Sequence, residues 1–193
     1  MSSSVAPSRK AYHHGDLRQA LIRAAKAEVE RAGPESVSLS ALAKALGVSQ
    51  PAPYRHFADR EALLAAVATE GFQAFAAAIR AAEAEESARP ALSRMARAYV
   101  AFGREHPGLY RLMFASVVVP NAPRGGELDT AAGESFAILL QAVPPAPDAG
   151  ARMRRALKIW AGLHGVVMLS ELRLLVGKSA EVTIEQLADD IVA

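Results

Sequence analysis

Apolar residues recur at helical spacing along most of the chain, in stretches separated by glycine and proline. Leu17, Leu21, Ala24, Ala25, Val29 and Ala32 give one buried face to a helix predicted over residues 16–32, which Gly33-Pro34 ends. Leu39, Leu42, Ala43 and Leu46 then fall at i, i+3, i+4 and i+7. Ser38 is placed to cap their helix and Gly47 to stop it. Ser49 can cap a second helix that holds two prolines. Pro51 lacks only an N–H that would be unpaired in a first turn, whereas Pro53 removes the first intrahelical bond. This second helix is therefore expected to be short and slightly irregular. Asp59 can cap the next helix, predicted to run unbroken to about residue 86 and to be on the order of 40 Å long. Helix, glycine turn and short helix form the grammar of a helix-turn-helix.

Beyond it, Ser87-Ala88-Arg89-Pro90 breaks the chain. A helix over 90–105 follows, with Leu92, Met95, Tyr99, Phe102 and His106 on a shared face, then a corner at His106-Pro107-Gly108 and a short apolar helix over 109–114. The valine run after it is cut by Pro120 and Pro123, so 117–127 reads as a loop. Helices are predicted over 128–143 and, after the stiff spacer Pro144-Pro145-Ala146-Pro147, over 148–176. From Ile159 the latter is apolar nearly all round. Such a helix is covered on both sides, one side by its own domain and the other by a partner, which predicts a homodimer. A last helix over 183–192, started by Thr183 or Glu181, carries Ile184, Leu187, Ala188 and Ile191 on one face. The expectation is an all-α protein of about nine helices. No uninterrupted apolar run is long enough to span a bilayer, so no membrane partner is expected.

Composition narrows the function. The chain has 193 residues, enough to bury a core as one or two small domains. Cysteine is absent, which excludes disulfides, thiolate metal sites and a cysteine nucleophile, and fits a reducing cytoplasm. The N-terminus lacks the apolar core of a secretory signal, so a cytoplasmic location is expected. The net charge is only +2, but residues 1–60 hold nine Lys/Arg against five acids, and the remainder thirteen against fifteen. The positive excess lies with the helix-turn-helix, where phosphate binding would need it. Residues 1–11 read as a disordered basic arm in which Arg9 and Lys10 could follow a phosphate backbone. His13-His14 points its two rings apart with no third ligand nearby, so no metal site is expected. No Ser/His/Asp set, His-Glu-x-x-His, P-loop or acidic cluster has usable spacing, which argues against an enzyme and against a cofactor.

The second helix of the motif displays Gln50, Tyr54, Arg55 and His56 within about two turns. Gln can pair with an adenine edge, and Arg with guanine or a phosphate. The bland alternative is a solvated helical hairpin.

Four stretches carry a family resemblance: Ser38-Leu39-Ser40-Ala41-Leu42-Ala43, Gly47-Val48-Ser49, Tyr54-Arg55-His56-Phe57 and Arg60-Glu61-Ala62-Leu63-Leu64. Together they resemble the DNA-binding domain of the TetR family of bacterial transcriptional regulators. Two positions depart from the family pattern: Pro51 where glycine is frequent, and Arg60 where lysine is usual, which changes the geometry of a phosphate contact. Tyr12-His13-His14-Gly15-Asp16-Leu17-Arg18 resembles a start found in a subset of such proteins. His106-Pro107-Gly108-Leu109-Tyr110-Arg111-Leu112-Met113-Phe114 resembles a turn of their ligand domains, and Trp160-Ala161-Gly162-Leu163-His164-Gly165 the signature of a WHG-type C-terminal domain.

The resemblance implies a basic arm at 1–11, a DNA-binding domain at 12–58 and a ligand-binding and dimerisation domain at 59–193. It implies a homodimeric regulator, expected to be a repressor released from a near-palindromic double-stranded operator by a small-molecule effector. Ser38 and Arg60 would hold phosphates. Gln50, Pro51, Ala52, Tyr54 and Arg55 would read or clamp bases, with Ser40 and His56 beside them. Phe72, Phe75, Tyr99, Phe102 and His106 are candidate pocket residues, with Tyr110, Met113, Phe114, Trp160 and His164. Val166, Leu169, Leu172, Ile184, Leu187 and Ile191 are candidates for the dimer interface. The rival reading is a dimeric helical sensor that acts through protein contacts without binding DNA.

Overall fold

The computed structural model describes residues 14–146, 148–175 and 182–193. The expected basic arm, the His-His pair up to His13, and the helix limits at 176 and 181 lie outside the described residues. Among those described there are eight α-helices, two short 3-10 turns and no strand, so the protein is all-α.

Helix α1 (His14–Ala32) buries Leu17, Leu21, Ile22, Ala25 and Val29 on one face. It stops at Gly33, whose φ of 87° lies in the region that favours glycine. A 3-10 turn, Pro34–Ser36, leads to α2 (Leu39–Ala45), which buries Leu39, Leu42 and Ala43. Ser38 caps α2 by accepting the Ala41 N–H at 3.4 Å, and Gly47, at φ 67°, turns the chain away.

The second half of the motif is tighter than expected. No α-helix forms at 49–56; residues 50–52 form a turn and Pro53–Arg55 a single 3-10 turn. With no N–H at Pro53, the Ser49 carbonyl accepts from Ala52 instead, at 2.9 Å. The Arg55 and His56 N–H groups continue this i to i+3 pattern onto Ala52 and Pro53.

Helix α3 (Arg60–Ala84), capped by Asp59 through the Ala62 N–H at 2.8 Å, is about 37 Å long. It packs on α1 at its start and on α4 (Ala91–Glu105), α5 (Pro107–Phe114) and α6 (Glu127–Ala142) further along. One helix thus belongs to both halves of the molecule, and a single apolar core runs through them. By length and composition alone α3 is apolar enough to cross a membrane, although Glu70 interrupts its apolar run. In the fold, 56% of its most apolar window is buried, as suits a central core helix.

Helix α7 (Ala149–Glu171) is capped by Asp148, and α8 (Ile184–Val192) by a capping box of Thr183 and Gln186. α7 ends sooner than expected. Arg173 adopts φ 56°, and the Leu174 N–H returns to the Leu169 carbonyl at 3.0 Å, which closes the helix with a Schellman-type turn. Helix α8 lies against α4 and α7 of its own chain. Arg97 and Arg89 pair with Asp189 at 2.5 and 2.8 Å, and Ser93 also hydrogen-bonds this carboxylate.

Candidate nucleic-acid interface and ligand cavity

The turn at 50–55 is held from below. Pro53 and Phe57 are buried, and the guanidinium of Arg18 on α1 lies 5.3 Å from the centre of the Phe57 ring. Anchored in this way, the segment turns its polar side chains outward. Gln50, Pro51 and Arg55 are exposed, Tyr54 is 52% exposed, and Ala52 and His56 are half-buried. Ser38 and Ser40 on α2 are exposed on the same motif, and the Gln50 amide donates to the Ser40 carbonyl at 3.4 Å. The two halves of the motif therefore form one polar surface.

Arg60, expected at a phosphate, is 34% exposed and also makes contacts within the chain. Its Nε donates to the Val37 carbonyl at 3.1 Å and its Nη2 to the Pro34 carbonyl at 2.6 Å, while Nη1 pairs with Glu61 at 3.0 Å. All three nitrogens have partners within the chain. Arg60 braces the start of α3 against the turn before α2, and the planar guanidinium suits that double donation.

A cavity of about 380 Å³ lies between α3, α4, α5, α6 and α7. Six expected residues line it: Phe72, Phe75, Tyr99, Met113, Phe114 and Trp160. Four others do not. Phe102 packs edge-on behind Phe75 at 5.2 Å. Tyr110 is fully buried between Tyr99 and His164, with its hydroxyl 2.9 Å from that of Tyr99 and 2.7 Å from His164 Nδ1. His164 thus lies behind Tyr110 rather than on the cavity wall. His106 caps the corner between α4 and α5, with Nδ1 3.5 Å from Glu30 Oε1 on α1.

The neighbouring Gly108 N–H donates to Glu30 Oε2 at 3.0 Å, and a Cβ at position 108 would overlap the Val29 carbonyl. At this corner α1 packs directly on α5. Burial pushes the Tyr99 and Tyr110 hydroxyls well above the usual phenol range and holds His164 below the usual imidazole range.

Part of the cavity wall was not foreseen. Ala132, Ser135, Phe136 and Leu139 come from α6, at i, i+3, i+4 and i+7. That spacing was the available signal. Val119 and Pro120 bring the loop after α5 into the wall, and Leu157 and Leu163 add to the α7 side.

The interface candidates also divide. Leu169 on α7 and Leu172 at its C-terminal cap are 41% and 62% exposed. Val166 instead faces the chain's own core at 8% exposure. Ile184, Leu187 and Ile191 are half-buried on the core because α8 packs inward, where Ile191 meets Gly162 of α7. Among the described residues, none outside the helix's own backbone comes within 4 Å of a Cβ built at Gly165. Among the described residues no cluster of His, Asp and Glu could hold a metal.

These features can be set beside known proteins. Residues 21–67 match the family model described as bacterial regulatory proteins, tetR family, and residues 92–191 match the tetracyclin repressor-like C-terminal domain. The chain is similar to a solved protein of unknown function from Rhodococcus sp. RHA1, at 32% identity over 94% of each chain, with a TM-score of 0.77. An uncharacterised HTH-type transcriptional regulator of Mycobacterium tuberculosis is 29% identical over 79% of this chain and 69% of its own length. The fold is also that of the TetR family regulator PfmR from Thermus thermophilus, at 21% identity over 90% of this chain and 97% of that one, with a TM-score of 0.59. The helix-turn-helix with its outward polar turn, the shared helix α3 and the two matched regions agree with one another: this chain belongs to the TetR family of transcriptional regulators.

Proposed function

We propose that the protein is a cytoplasmic repressor that binds a near-palindromic operator as a homodimer and leaves it when a small molecule fills the cavity. Residues 12–58 form the DNA-binding part and 59–193 the effector and dimerisation part. The observation that carries this reading is the sharing of α3. It begins beside the exposed turn at 50–55 and ends beside the cavity, with Phe72 and Phe75 in the wall. A change in cavity packing can therefore tilt the head that meets DNA. The second contact, Glu30 on Gly108, couples α1 to the corner of α5 in the same sense.

In this reading Gln50, Tyr54 and Arg55 meet base edges, Pro51 and Ala52 pack against them, and Ser38, Ser40 and His56 border the contact. The exposed apolar face of α7, with Leu169 and Leu172, pairs with the same face of a second copy, where Gly165 permits close approach. A twofold dimer carries its two heads roughly 34–36 Å apart, one turn of DNA. The effector acts only through its differential affinity for the two head spacings. The rival, a sensor without DNA binding, leaves the outward polar turn without a role.

Footprinting on DNA flanking its own gene tests the proposal. Protection of two half-sites one helical turn apart supports it; uniform weak protection of all sequences rejects it.

A further inference from the structure

Among the residues that line the cavity there is no Asp, Glu, Lys, Arg or His. The charged groups nearest the wall elements are engaged elsewhere. Arg97 binds Asp189, Arg111 binds Glu171, and Glu30 accepts from Gly108. An ion entering the cavity would lose its hydration and find no counter-charge.

The polar groups of the wall are few. The Ser116 hydroxyl donates to the Leu112 carbonyl and the Ser135 hydroxyl to the Ala132 carbonyl. Tyr99 differs, because its hydroxyl is bonded to another hydroxyl, that of Tyr110, which in turn meets His164 Nδ1. This chain can run in two directions. When Nδ1 accepts, Tyr110 donates to it and Tyr99 donates to Tyr110, so the Tyr99 oxygen accepts, from the Trp160 indole N–H beside it and, through its remaining lone pair, from a guest. When Nδ1 carries the proton, the donations reverse and the Tyr99 proton is released to a guest. The chain is neutral in either sense, because burial keeps both phenols protonated and the imidazole uncharged.

We infer that the cavity takes an uncharged, largely apolar small molecule whose polar group, a hydroxyl or a carbonyl, hydrogen-bonds the Tyr99 hydroxyl. This deepens the proposed effector reading and rests on it. Trp160 is the single tryptophan of the chain and lines the cavity, so its emission reports occupancy directly.

The full-length protein is titrated with decan-1-ol, decanoate, decyltrimethylammonium and butylbenzene, all below micellar concentration, with Trp160 fluorescence and calorimetry as readouts. Decan-1-ol is expected to saturate and to bind at least about tenfold more tightly than either ion of similar length. Tyr99→Phe should weaken decan-1-ol by about fivefold, the worth of one hydrogen bond, and leave butylbenzene unchanged. Ala132→Phe, which fills the cavity, should abolish binding of all probes while the helical circular dichroism persists.

Either ion binding as tightly as decan-1-ol overturns the inference and leaves the effector reading standing. Equal loss of decan-1-ol and butylbenzene in Tyr99→Phe overturns the hydrogen-bonding role. If no probe saturates, or Ala132→Phe has no effect on binding, the effector reading falls together with the inference.

Discussion

Arg55 and Arg60 lie on one short segment, and the fold gives them opposite surroundings. Arg55 is exposed on the outward turn, whereas all three guanidinium nitrogens of Arg60 have partners inside the chain. Arg55→Ala is therefore expected to relax base preference with little effect on stability, measured by competition between operator and scrambled duplexes. Arg60→Ala removes the donor to the Val37 carbonyl and one of two donors to the Pro34 carbonyl, and should lower the unfolding free energy by about 1–3 kcal/mol in urea titrations. Arg60→Lys should recover only part of that loss, since an ammonium on a flexible stem does not present the same planar fork. The sequence makes both arginines visible as cations beside a helix-turn-helix. It does not show that two carbonyls would lie within reach of Arg60, because Pro34 and Val37 come from a distant stretch. Pocket residues divide for the same reason. Periodicity puts Tyr99, Phe102 and His106 on one face of α4, but three different neighbours cover that face, so only Tyr99 reaches the cavity.

At the scale of elements, the helix starts were legible because capping is local. Ser38, Asp59 and Thr183 each accept the N–H that their position predicts, and Asp148, not singled out in the sequence, caps α7 in the same way. Helix character was harder to read where proline interrupts it. The pair at 51 and 53 leaves a turn and one 3-10 turn where a short helix was expected. The end of α7 gave no signal, since Arg173 rather than glycine takes the left-handed position. Two contacts between elements yield predictions. Gly108→Ala forces a methyl against the Val29 carbonyl, and overpacking of this kind should cost about 1–3 kcal/mol, visible as a lower thermal midpoint. The clamp on α8 is pH-dependent. Arg97, then Ser93 and Arg89, hold the Asp189 carboxyl well below the usual carboxylate range. A depressed carboxyl pKa contributes stability that is complete above the unfolded value and is lost as pH falls toward the folded one. Asp189→Asn should therefore destabilise the protein clearly at neutral pH, and the gap to wild type should narrow as pH falls below about 4, as read by denaturant midpoints across that range.

At the scale of the whole molecule, α3 joins head and body along a single core. Its start carries the head and its far half carries the cavity wall, with a second tie from Glu30 to Gly108. The division into head and body was legible in the sequence, because the motif at 38–64 is dense and local. The body was legible as helices but less so as surfaces. The sequence marks α7 as apolar all round, yet which of its faces turns inward depends on the packing of α4 and α8. In the fold Val166 is inside and Leu172 outside. Leu172→Glu is accordingly expected to shift sedimentation from dimer to monomer and, by separating the heads, to weaken operator binding strongly. The most direct test of the account is binding of the intact protein to near-palindromic duplexes from its own gene neighbourhood, titrated with salt beside scrambled duplexes of equal length. Expected are one dimer per site, a logarithm of affinity that falls linearly with the logarithm of salt, and a preference for the native sequence of at least about a thousandfold. Equal affinity for native and scrambled duplexes at moderate salt would contradict the account.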